Sequence, residues 1–364
     1  MGQAPNGASY NTNGDGYPLI AGAGDFGETS PRPGKWTDAP TKLSEPGDII
    51  LCIRATIGDR NWSDNKYCLG RGVAGLRAMD AKLDQKYLWQ WLGHSADQLK
   101  SKGRGATFLQ VSKADIASLQ IPLPPLPEQK RIAGILDAAH ALRAKRRESL
   151  AQLDTLLQST FLDMFGDPVT NPMGWEIKSL GEVCDVRDGT HDSPKYVETG
   201  HPLLTSKNFK DGQIDYSGAS LISDEDFLQI NKRSKVDVGD LVMPMIGTIG
   251  NPVLVEDEPV FAIKNVALIK FSKESPDNRF IRALLCSHYF DHITSKANRG
   301  GTQKFVALKD LRGMPIPLPA LALQRRFAAI VESVERQKAR LRAHLAELDT
   351  LFASLQSRAF NGQL

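Results

Sequence analysis

Three short patterns in this sequence place reactive side chains at spacings that enzymes use. Residues 22–27 spell GxGxxG, which cradles a dinucleotide where it joins a strand to a helix. Glu128 and Lys130 have the ExK spacing with which some nucleases hold a metal ion and activate water. His288 and His292 lie four residues apart, so one helix face can present both to a metal ion. Whether any of these chemistries is available depends on the elements that carry the residues.

None of the three patterns has the context that its chemistry needs. Residues 29–34 contain two prolines and cannot open a helix, so we predict a turn at residues 22–27 instead of a cofactor loop. Glu128 falls in the first turn of a predicted long helix, where an acid complements the helix dipole. Tyr289 occupies the position at which an HExxH site has its glutamate, and no third ligand suggests itself. We predict no catalytic residue and no metal site.

The remaining chemistry is that of nucleic-acid binding, with cationic side chains and amides together in loops. Lys and Arg attract phosphates, while Asn, Gln and Arg can pair with base edges. Any one such residue is more often a solvated surface group, but a basic Gly-Thr loop recurs at residues 104–107 and 299–302. The candidate DNA contacts are Arg54, Arg60, Lys66, Arg71, Lys102, Arg104, Thr107, Lys207, Asn208, Lys210, Lys264, Asn265, Arg299, Thr302, Gln303 and Lys304.

These loops sit on a duplicated scaffold. Residues 121–167 align without a gap with residues 316–362, at an offset of 195 (316 − 121). Further upstream, GDIIL at residues 47–51 matches GDLVM at residues 239–243, and each run reads as a core strand. Such a long shared period indicates a duplicated module. Two copies of one fold with different loops suit a protein that reads two different things.

The second half of each copy reads as a long helix. Prolines precede both helices, and a glycine follows each, at Gly166 and Gly362. Apolar residues recur at alternating spacings of four and three, as in a coiled-coil seam, and both seams are interrupted at equivalent cations, Arg143 and Lys338. We therefore predict that the two helices pair with each other instead of packing separately. The seam residues are Ile132, Leu136, Leu150, Leu153, Leu157, Phe327, Val331, Leu341, Leu345, Leu348 and Phe352.

Length and composition set broad limits. A chain of 364 residues allows about two domains. The net charge of +3 is a weak pointer to a polyanionic partner. The four cysteines are scattered without a CxxC pair, which argues against a disulfide framework or a zinc site. With no signal peptide and no apolar run of membrane-spanning length, we expect a cytoplasmic protein without membrane contact.

The chain resembles the specificity subunit of a type I restriction–modification enzyme. The resemblance is carried by GDIIL…TIG and GDLVM…GTIG, by PLPPLPEQKRIAGILD, and by GGTQKFVALKDLRGMPIPLP leading into ALQRR. LDTLLQSTFLDMFGDP followed by GWEIKSLGEVCDV is also typical of that family. The resemblance covers essentially the whole chain, and the duplicated order of these motifs makes it specific.

This resemblance implies a mixed α/β (α+β) fold. Two tandem target-recognition domains, each a twisted β-sheet with helices, would be separated by two long antiparallel coiled-coil helices. The corresponding boundaries are residues 1–122 and 168–317 for the domains and residues 123–167 and 318–364 for the spacer helices. One departure concerns the start, because the counterpart of residues 175–183 is missing there. Either the first domain lacks an edge strand, or the start is misplaced or truncated.

The resemblance also implies a catalytically silent chain that reads a split double-stranded DNA target in phage defence. Two modification subunits would carry S-adenosylmethionine and methylate adenine, and a restriction subunit using ATP and magnesium can join them. No cofactor would bind this chain itself. The alternative interpretation is a coiled-coil assembly adaptor whose globular units bind protein. Binding that is insensitive to salt would favour the adaptor.

Overall fold

The computed structural model describes residues 1–78, 81–210, 212–245, 249–297 and 306–364. The fold is mixed α/β and divides into two compact units. Unit 1 comprises Met1–Arg147 with Ala343–Leu364, and unit 2 comprises Glu148–Arg342. The two longest helices are each divided between the units, so each unit contains a globular part and two helix segments.

The globular part of unit 1 consists of short strands followed by three helices. The strands are β1 (Tyr10–Asn11), β2 (Tyr17–Ile20), β3 (Trp36–Thr37), β4 (Ile49–Cys52), β5 (Arg60–Trp62), β6 (Cys68–Leu69) and β7 (Val73–Leu76). The helices are α1 (Gln85–His94), α2 (Ala96–Ser101) and α3 (Lys113–Ala117). The strands form two sheets. One is four-stranded, in the order β1-β3-β2-β6, and the other is three-stranded and antiparallel, in the order β5-β4-β7.

The core of unit 1 forms on strand β4, which is buried along its whole length. This confirms the core strand predicted from GDIIL. Helix α1 packs on it through buried Tyr87 and Trp91. Helix α1 ends at His94, and Ser95 separates it from α2. Residues 22–27 form a turn around a short 3-10 helix (Ala23–Asp25), as predicted, and not the start of an α-helix.

Unit 2 repeats this plan with additional elements at its start. The first long helix is α4 (Leu126–Phe165). Then come β8 (Glu176–Ser179), α5 (Leu180–Val183), β9 (Asp185–Asp188), β10 (Tyr196–Val197), β11 (His201–Leu204), β12 (Phe209–Lys210), β13 (Gln213–Ile214), β14 (Ser220–Ile222), α6 (Asp224–Ser234), β15 (Leu241–Pro244), β16 (Val253–Leu254), β17 (Ala262–Ile263), β18 (Val266–Lys270), α7 (Asn278–Leu285), α8 (His288–Ala297), α9 (Leu308–Arg312), β19 (Pro315–Leu318) and the second long helix, α10 (Leu321–Phe360).

The core sheet of unit 2 has the order β16-β15-β18-β9. Its strands β15 and β18 correspond to β4 and β7 of unit 1. A second sheet has the order β10-β14-β11-β17, and β8 forms a two-stranded sheet with β19. Helix α7 buries Phe280, Ile281, Leu284 and Leu285 against the core. Each of α1 and α7 begins at an aspartate, Asp84 or Asp277, whose carboxylate accepts hydrogen bonds from the first turn.

Within each unit, α4 and α10 pair in antiparallel orientation. In unit 1, Ile132 and Leu136 pack in one core cluster with Phe360, while further along α4 Arg143 meets Asp349 at 2.5 Å. In unit 2, the Phe165 ring lies 5.4 Å from the Phe327 ring. The two cations that interrupt the seams both form ion pairs. Lys338 lies 2.7 Å from Asp154, and Arg143 lies beside Asp349. An antiparallel register gives each seam cation a carboxylate partner on the opposite helix.

The other seam residues follow the same faces. Val331 and Leu341 are buried on α10, and Phe352 lies beneath the Arg143 guanidinium, 4.4 Å from the ring centre. The partly buried positions are Leu150, Leu153, Leu157, Leu345 and Leu348.

Candidate nucleic-acid interface

Unit 2 contains a cleft of about 1380 Å³ whose lining is strongly cationic. Among the described residues that line it there is one carboxylate, Asp154, and there are five cationic side chains: Lys207, Lys210, Arg282, Lys338 and Arg342. The amides of Asn208, Asn251 and Asn265 and the exposed ring of Tyr196 complete the polar surface. A concave surface with excess positive charge concentrates polyanions, and its amides and aromatic ring can contact bases.

Two lysines of this cleft, Lys207 and Lys210, are presented by a turn that Asn208 holds together. A short 3-10 helix, Ser206–Asn208, follows β11. The Asn208 side chain accepts a hydrogen bond from the Thr205 amide at 2.9 Å and donates one to the Asp215 carbonyl at 2.8 Å. Asn208 is consequently buried, whereas Lys207 and Lys210 are exposed on either side of it. Of these three predicted DNA contacts, Lys207 and Lys210 line the cleft as exposed cations, with Lys210 lying 3.7 Å from Asp215, and Asn208 acts as a brace.

The opposite wall of the cleft comes from helices α7 and α10. The Arg282 Nε on α7 donates to the Pro252 carbonyl at 3.1 Å, which fixes the direction of the guanidinium. Lys338 is held between Asp154 at 2.7 Å and Glu335 at 2.8 Å, so its charge is locally compensated. Arg342, one turn further along α10, is exposed and lies 3.7 Å from Glu335. Arg342 is therefore freer than Lys338 to meet a phosphate.

Lys264 and Asn265 belong to a hydrogen-bonded network at the end of strand β9. Asn265 has a left-handed backbone, with φ at +55°, and its side-chain Oδ1 lies 2.8 Å from His191 Nδ1. The other ring nitrogen of His191 is 2.7 Å from Asp188. The hydrogen bond with Asn265, followed by the one with Asp188, raises the pKa of His191. Lys264 donates to the Ser193 hydroxyl at 2.6 Å, so both predicted contacts brace this loop.

In unit 1 the structure brings several of the predicted contacts together around one loop. The backbone of Gln110 forms isolated β-bridges with the backbones of Arg54 and Arg104. The Arg54 guanidinium carbon lies 5.6 Å from the centre of the exposed Phe108 ring. Lys102 reaches the Ser118 hydroxyl at 2.7 Å. Thr107 is exposed on the same loop. This basic loop with an exposed aromatic ring is the strongest candidate contact surface of unit 1.

Two other predicted contacts of unit 1 lie elsewhere, and Arg60 has a different environment from the one expected. Lys66 pairs with Glu45 at 2.9 Å, and Arg71 is exposed in the turn before β7. The Arg60 guanidinium instead packs over the Trp89 ring, 4.5 Å from its centre. Burial lowers the pKa of Arg60 to about 10. The Arg60 guanidinium is therefore packed into unit 1, and its selection as a DNA contact stays a prediction.

Four predicted contacts cannot be placed. Arg299, Thr302, Gln303 and Lys304 lie in residues 298–305, outside the described part of the chain. Two arginines that line the cleft, Arg282 and Arg342, were not among the contacts predicted from the sequence. The available signal was the pair of cations at positions 338 and 342, four residues apart and hence on one helix face. Arg282 carried no signal, since its equivalent in unit 1 is Trp89.

Over residues 1–78, 81–210, 212–245, 249–297 and 306–364, no group of three or more His, Cys, Asp or Glu side chains is placed to hold a metal ion. His288, one of the two histidines considered above, lies 3.2 Å from Asp167. In the same residues, no helix combines the length and hydrophobicity needed to span a bilayer.

The sequence matches one family twice, once in each half. Residues 4–152 and residues 172–349 match the family described as the type I restriction modification DNA specificity domain. The chain belongs to this family. The two matches correspond to the two copies of the scaffold, and together they cover most of the chain.

Individual members of the DNA specificity domain family align over much of this chain. The MjaVIII type I restriction enzyme specificity subunit of Methanocaldococcus jannaschii is 28% identical over 307 residues, which is 79% of this chain and 72% of that protein. The EcoBI specificity subunit of Escherichia coli is 23% identical over 88% of this chain and 74% of its own length. The MjaX specificity subunit of M. jannaschii is 38% identical, but over only 42% of this chain and 36% of its own length.

Solved structures show the same fold. The type I restriction-modification S subunit from M. genitalium superimposes with a TM-score of 0.59 at 17% identity, covering 99% of this chain and 92% of that one. A chain from a study of complex assembly and conformational transition of the type I R-M system superimposes with a TM-score of 0.58 at 21% identity, covering 96% and 92%. At these identities the likeness concerns the fold.

Proposed function

We propose that this chain is the non-catalytic specificity subunit of a type I restriction–modification enzyme and that each unit reads one half of a split double-stranded DNA target. The observation that carries the proposal is the double match to the DNA specificity domain family, with one match in each unit. The two units share scaffold strands and helices but differ in the loops. Different loops on a repeated scaffold are what two different half-sites require.

In unit 2, phosphates would be met by the exposed cations of the cleft, Lys207, Lys210 and Arg342. These contacts position the duplex, and base edges are read by neighbouring amides and loop side chains. Asn251 lines the cleft and is one such amide. In unit 1, Arg54 and Arg104 would play the phosphate role beside the exposed ring of Phe108.

The chemistry belongs to partner subunits under this proposal. Two modification subunits would hold S-adenosylmethionine and methylate an adenine in each half-site, and a restriction subunit would bring ATP and magnesium for translocation and cleavage. The complex would act in the cytoplasm. The long helices would set the number of unread bases between the half-sites.

The test is reconstitution. The purified chain, supplied with S-adenosylmethionine, ATP and magnesium, should neither methylate nor cleave DNA, and methylation should appear when its modification subunit is added. Sequencing the methylated product should reveal two half-sites separated by unread bases. Activity of the chain alone that survives stringent purification would refute the non-catalytic assignment. DNA-independent assembly with protein partners, unaffected by salt, would instead support the adaptor.

A further inference from the structure

In unit 1, the Arg60 side chain is packed into the protein without a full set of hydrogen-bond partners. Its guanidinium lies over the Trp89 ring, and Trp89 is itself stacked on Trp62. Helix α1 leaves room for it at Gly93, because a Cβ there would lie 2.3 Å from a terminal nitrogen of Arg60. The Arg60 Nε is buried and has no hydrogen-bond partner among the described residues. Buried donors are nearly always paired, so this one calls for an explanation.

Helix α1 brings the Arg60 guanidinium beside the long helix α4. The two helices run side by side in the same direction, and the Gln90 side chain donates to the Asp137 carboxylate at 2.6 Å. About one turn further along lie Gly93 on α1, against which the Arg60 guanidinium packs, and His140 on α4. Arg60 therefore lies at the junction of the globular part of unit 1 with its long helix.

Two further arginines of unit 1 belong to the same neighbourhood. Burial lowers the pKa of His140, and the charges of Arg143, Arg60 and Arg147 lower it further. The Arg143 Nε donates to one Asp349 oxygen at 2.5 Å, and a terminal nitrogen of Arg147 donates to the same oxygen at 3.2 Å. Since a guanidinium has several N–H donors, both arginines keep donors that Asp349 does not use.

The two helix arginines recur as cations in unit 2. Arg143 and Arg147 correspond to Lys338 and Arg342 at the offset of 195 (338 − 143). In both units the first of these cations meets a carboxylate of the other long helix, and the two carboxylates are also equivalent (349 − 154). Lys338 and Arg342 line the cationic cleft of unit 2. The pair of cations is thus part of the duplicated scaffold.

The third cation comes from different elements in the two units. Arg60 corresponds to Pro252 at an offset of 192 (252 − 60), and Trp89 corresponds to Arg282 at 193 (282 − 89). In unit 1 the guanidinium of the strand residue packs on the helix residue, whereas in unit 2 the helix arginine donates to the Pro252 carbonyl at 3.1 Å. A guanidinium therefore lies between the same two scaffold positions in each unit. Desolvating a cation costs stability, so its presence there in both units favours an anionic ligand.

We propose that Arg60, Arg143 and Arg147 form a phosphate-binding site of unit 1, occupied by a backbone phosphate of the double-stranded DNA that this unit reads. The Trp89 ring orients the first guanidinium, and Asp349 holds the other two. Guanidinium groups match the oxygens of a phosphate in charge and geometry. The site fixes the register of the duplex and reads no base. This inference rests on the proposed function and adds a defined ligand group to it.

The experiment measures DNA binding by methionine variants of the complex with its modification subunits, using fluorescence anisotropy over a series of salt concentrations. Arg60→Met should lower the magnitude of the slope of log K against log salt by about 0.9, and Arg147→Met, at an exposed position, should do the same. Between about 50 and 200 mM salt, the parent should then lose about 3.5-fold more affinity than either variant. Arg131→Met is the matched control on the same helix, because both oxygens of Glu128 engage that guanidinium. Its slope should equal that of the parent.

Two further readouts separate a phosphate site from a structural or base-reading role. In urea, Arg60→Met should not lower the unfolding midpoint of the chain, because it removes a desolvated cation whose Nε has no partner among the described residues. Methylation mapping should return the parent half-sites, since phosphate contacts carry no sequence information directly. A lower midpoint with an unchanged slope would make Arg60 a structural residue and overturn the proposal. Altered bases in a half-site would overturn it as well.

Failure of the inference and failure of the proposed function give different results. If the parent complex methylates its target but Arg60→Met and Arg147→Met keep the parent slope, the phosphate site is wrong and the DNA-reading function stands. An equal fall in slope for Arg131→Met would show a general charge effect and also overturn the site. Release of the modification subunits at an unchanged slope would assign the arginines to a partner's acidic group instead. If Arg60→Met does not fold, Arg147→Met carries the same test.

The proposed function has its own signature in the same assay. A parent complex that binds DNA without sequence preference would contradict the DNA-reading function. The comparison of slopes would still decide whether these arginines meet a phosphate, because the phosphate contribution to binding is independent of sequence.

Discussion

The cationic cleft of unit 2 makes a quantitative prediction about salt dependence. Replacing Lys207, Lys210 and Arg342 by Ala removes three exposed cations that line the cleft. If each meets one phosphate, the slope of log K against log salt should fall in magnitude by about 0.9 per contact, or about 2.7 in all. Between about 50 and 200 mM salt, the parent should then lose about 40-fold more affinity than the variant.

Fluorescence anisotropy on the complex with its modification subunits, over a series of salt concentrations, measures this slope. Lys273→Ala is the matched control, because Lys273 is an exposed cation of the same unit that does not line the cleft. Its slope change should be close to zero. An unchanged slope in the triple variant, or an equal change in the control, would refute the assignment of the cleft to DNA. Methylation mapping should show no change of bases in the half-site read by unit 1.

Three further predictions address the helices and the histidine network. Lys338→Met should change the unfolding free energy in urea by less than about 1 kcal/mol, because desolvation offsets the ion pair and Asp154 stays largely exposed; a loss above about 3 kcal/mol would contradict this. Folding raises the pKa of His191, so its stabilising contribution is full below the ordinary histidine pKa of about 6.5 and is lost as pH rises through the folded value. His191→Ala should therefore lower the melting temperature more at about pH 5.5 than at about pH 8.5, and an equal loss at both would contradict the network. Inserting one heptad in phase after Leu150 and after Leu345 adds about 10 Å to both helices, so the methylated half-sites should move apart by about three base pairs, whereas an unchanged gap in an active variant would refute the spacer role.

The two glutamines that align in the repeat show what sequence comparison leaves undetermined. Gln129 and Gln324 match at the offset of 195, but nothing in the pattern states their role. In the structure both are buried near the start of their helices. Gln129 accepts a hydrogen bond from the Asp84 amide at 2.8 Å, and Gln324 accepts one from the Asp277 amide at 2.8 Å. Each thus joins a long helix to the first turn of a globular helix, across a separation in sequence that local patterns do not contain.

The candidate DNA contacts differ in burial and in their partners for the same reason. Lys207 and Asn208 are neighbours in a basic loop, yet one is exposed and the other is buried as a brace. As an arginine, Arg60 is of a residue type that contacts DNA, but its guanidinium packs over the Trp89 ring. Trp89 belongs to a helix that begins 25 residues further along the chain (85 − 60). Residue type therefore indicated which chemistry is available, and packing selected the side chains that can use it.

The sequence by itself determined the duplication, the two long helices with their glycine ends, and the core strand of each copy. These features depend on period, capping and local propensity, which act over a few turns of chain. Only the tertiary structure decided that Arg143 pairs with Asp349 and Lys338 with Asp154, and that Arg282 lines a cleft. The reason is physical: each of these contacts joins residues far apart in the chain, whose meeting depends on how helices pack on one another and on a sheet.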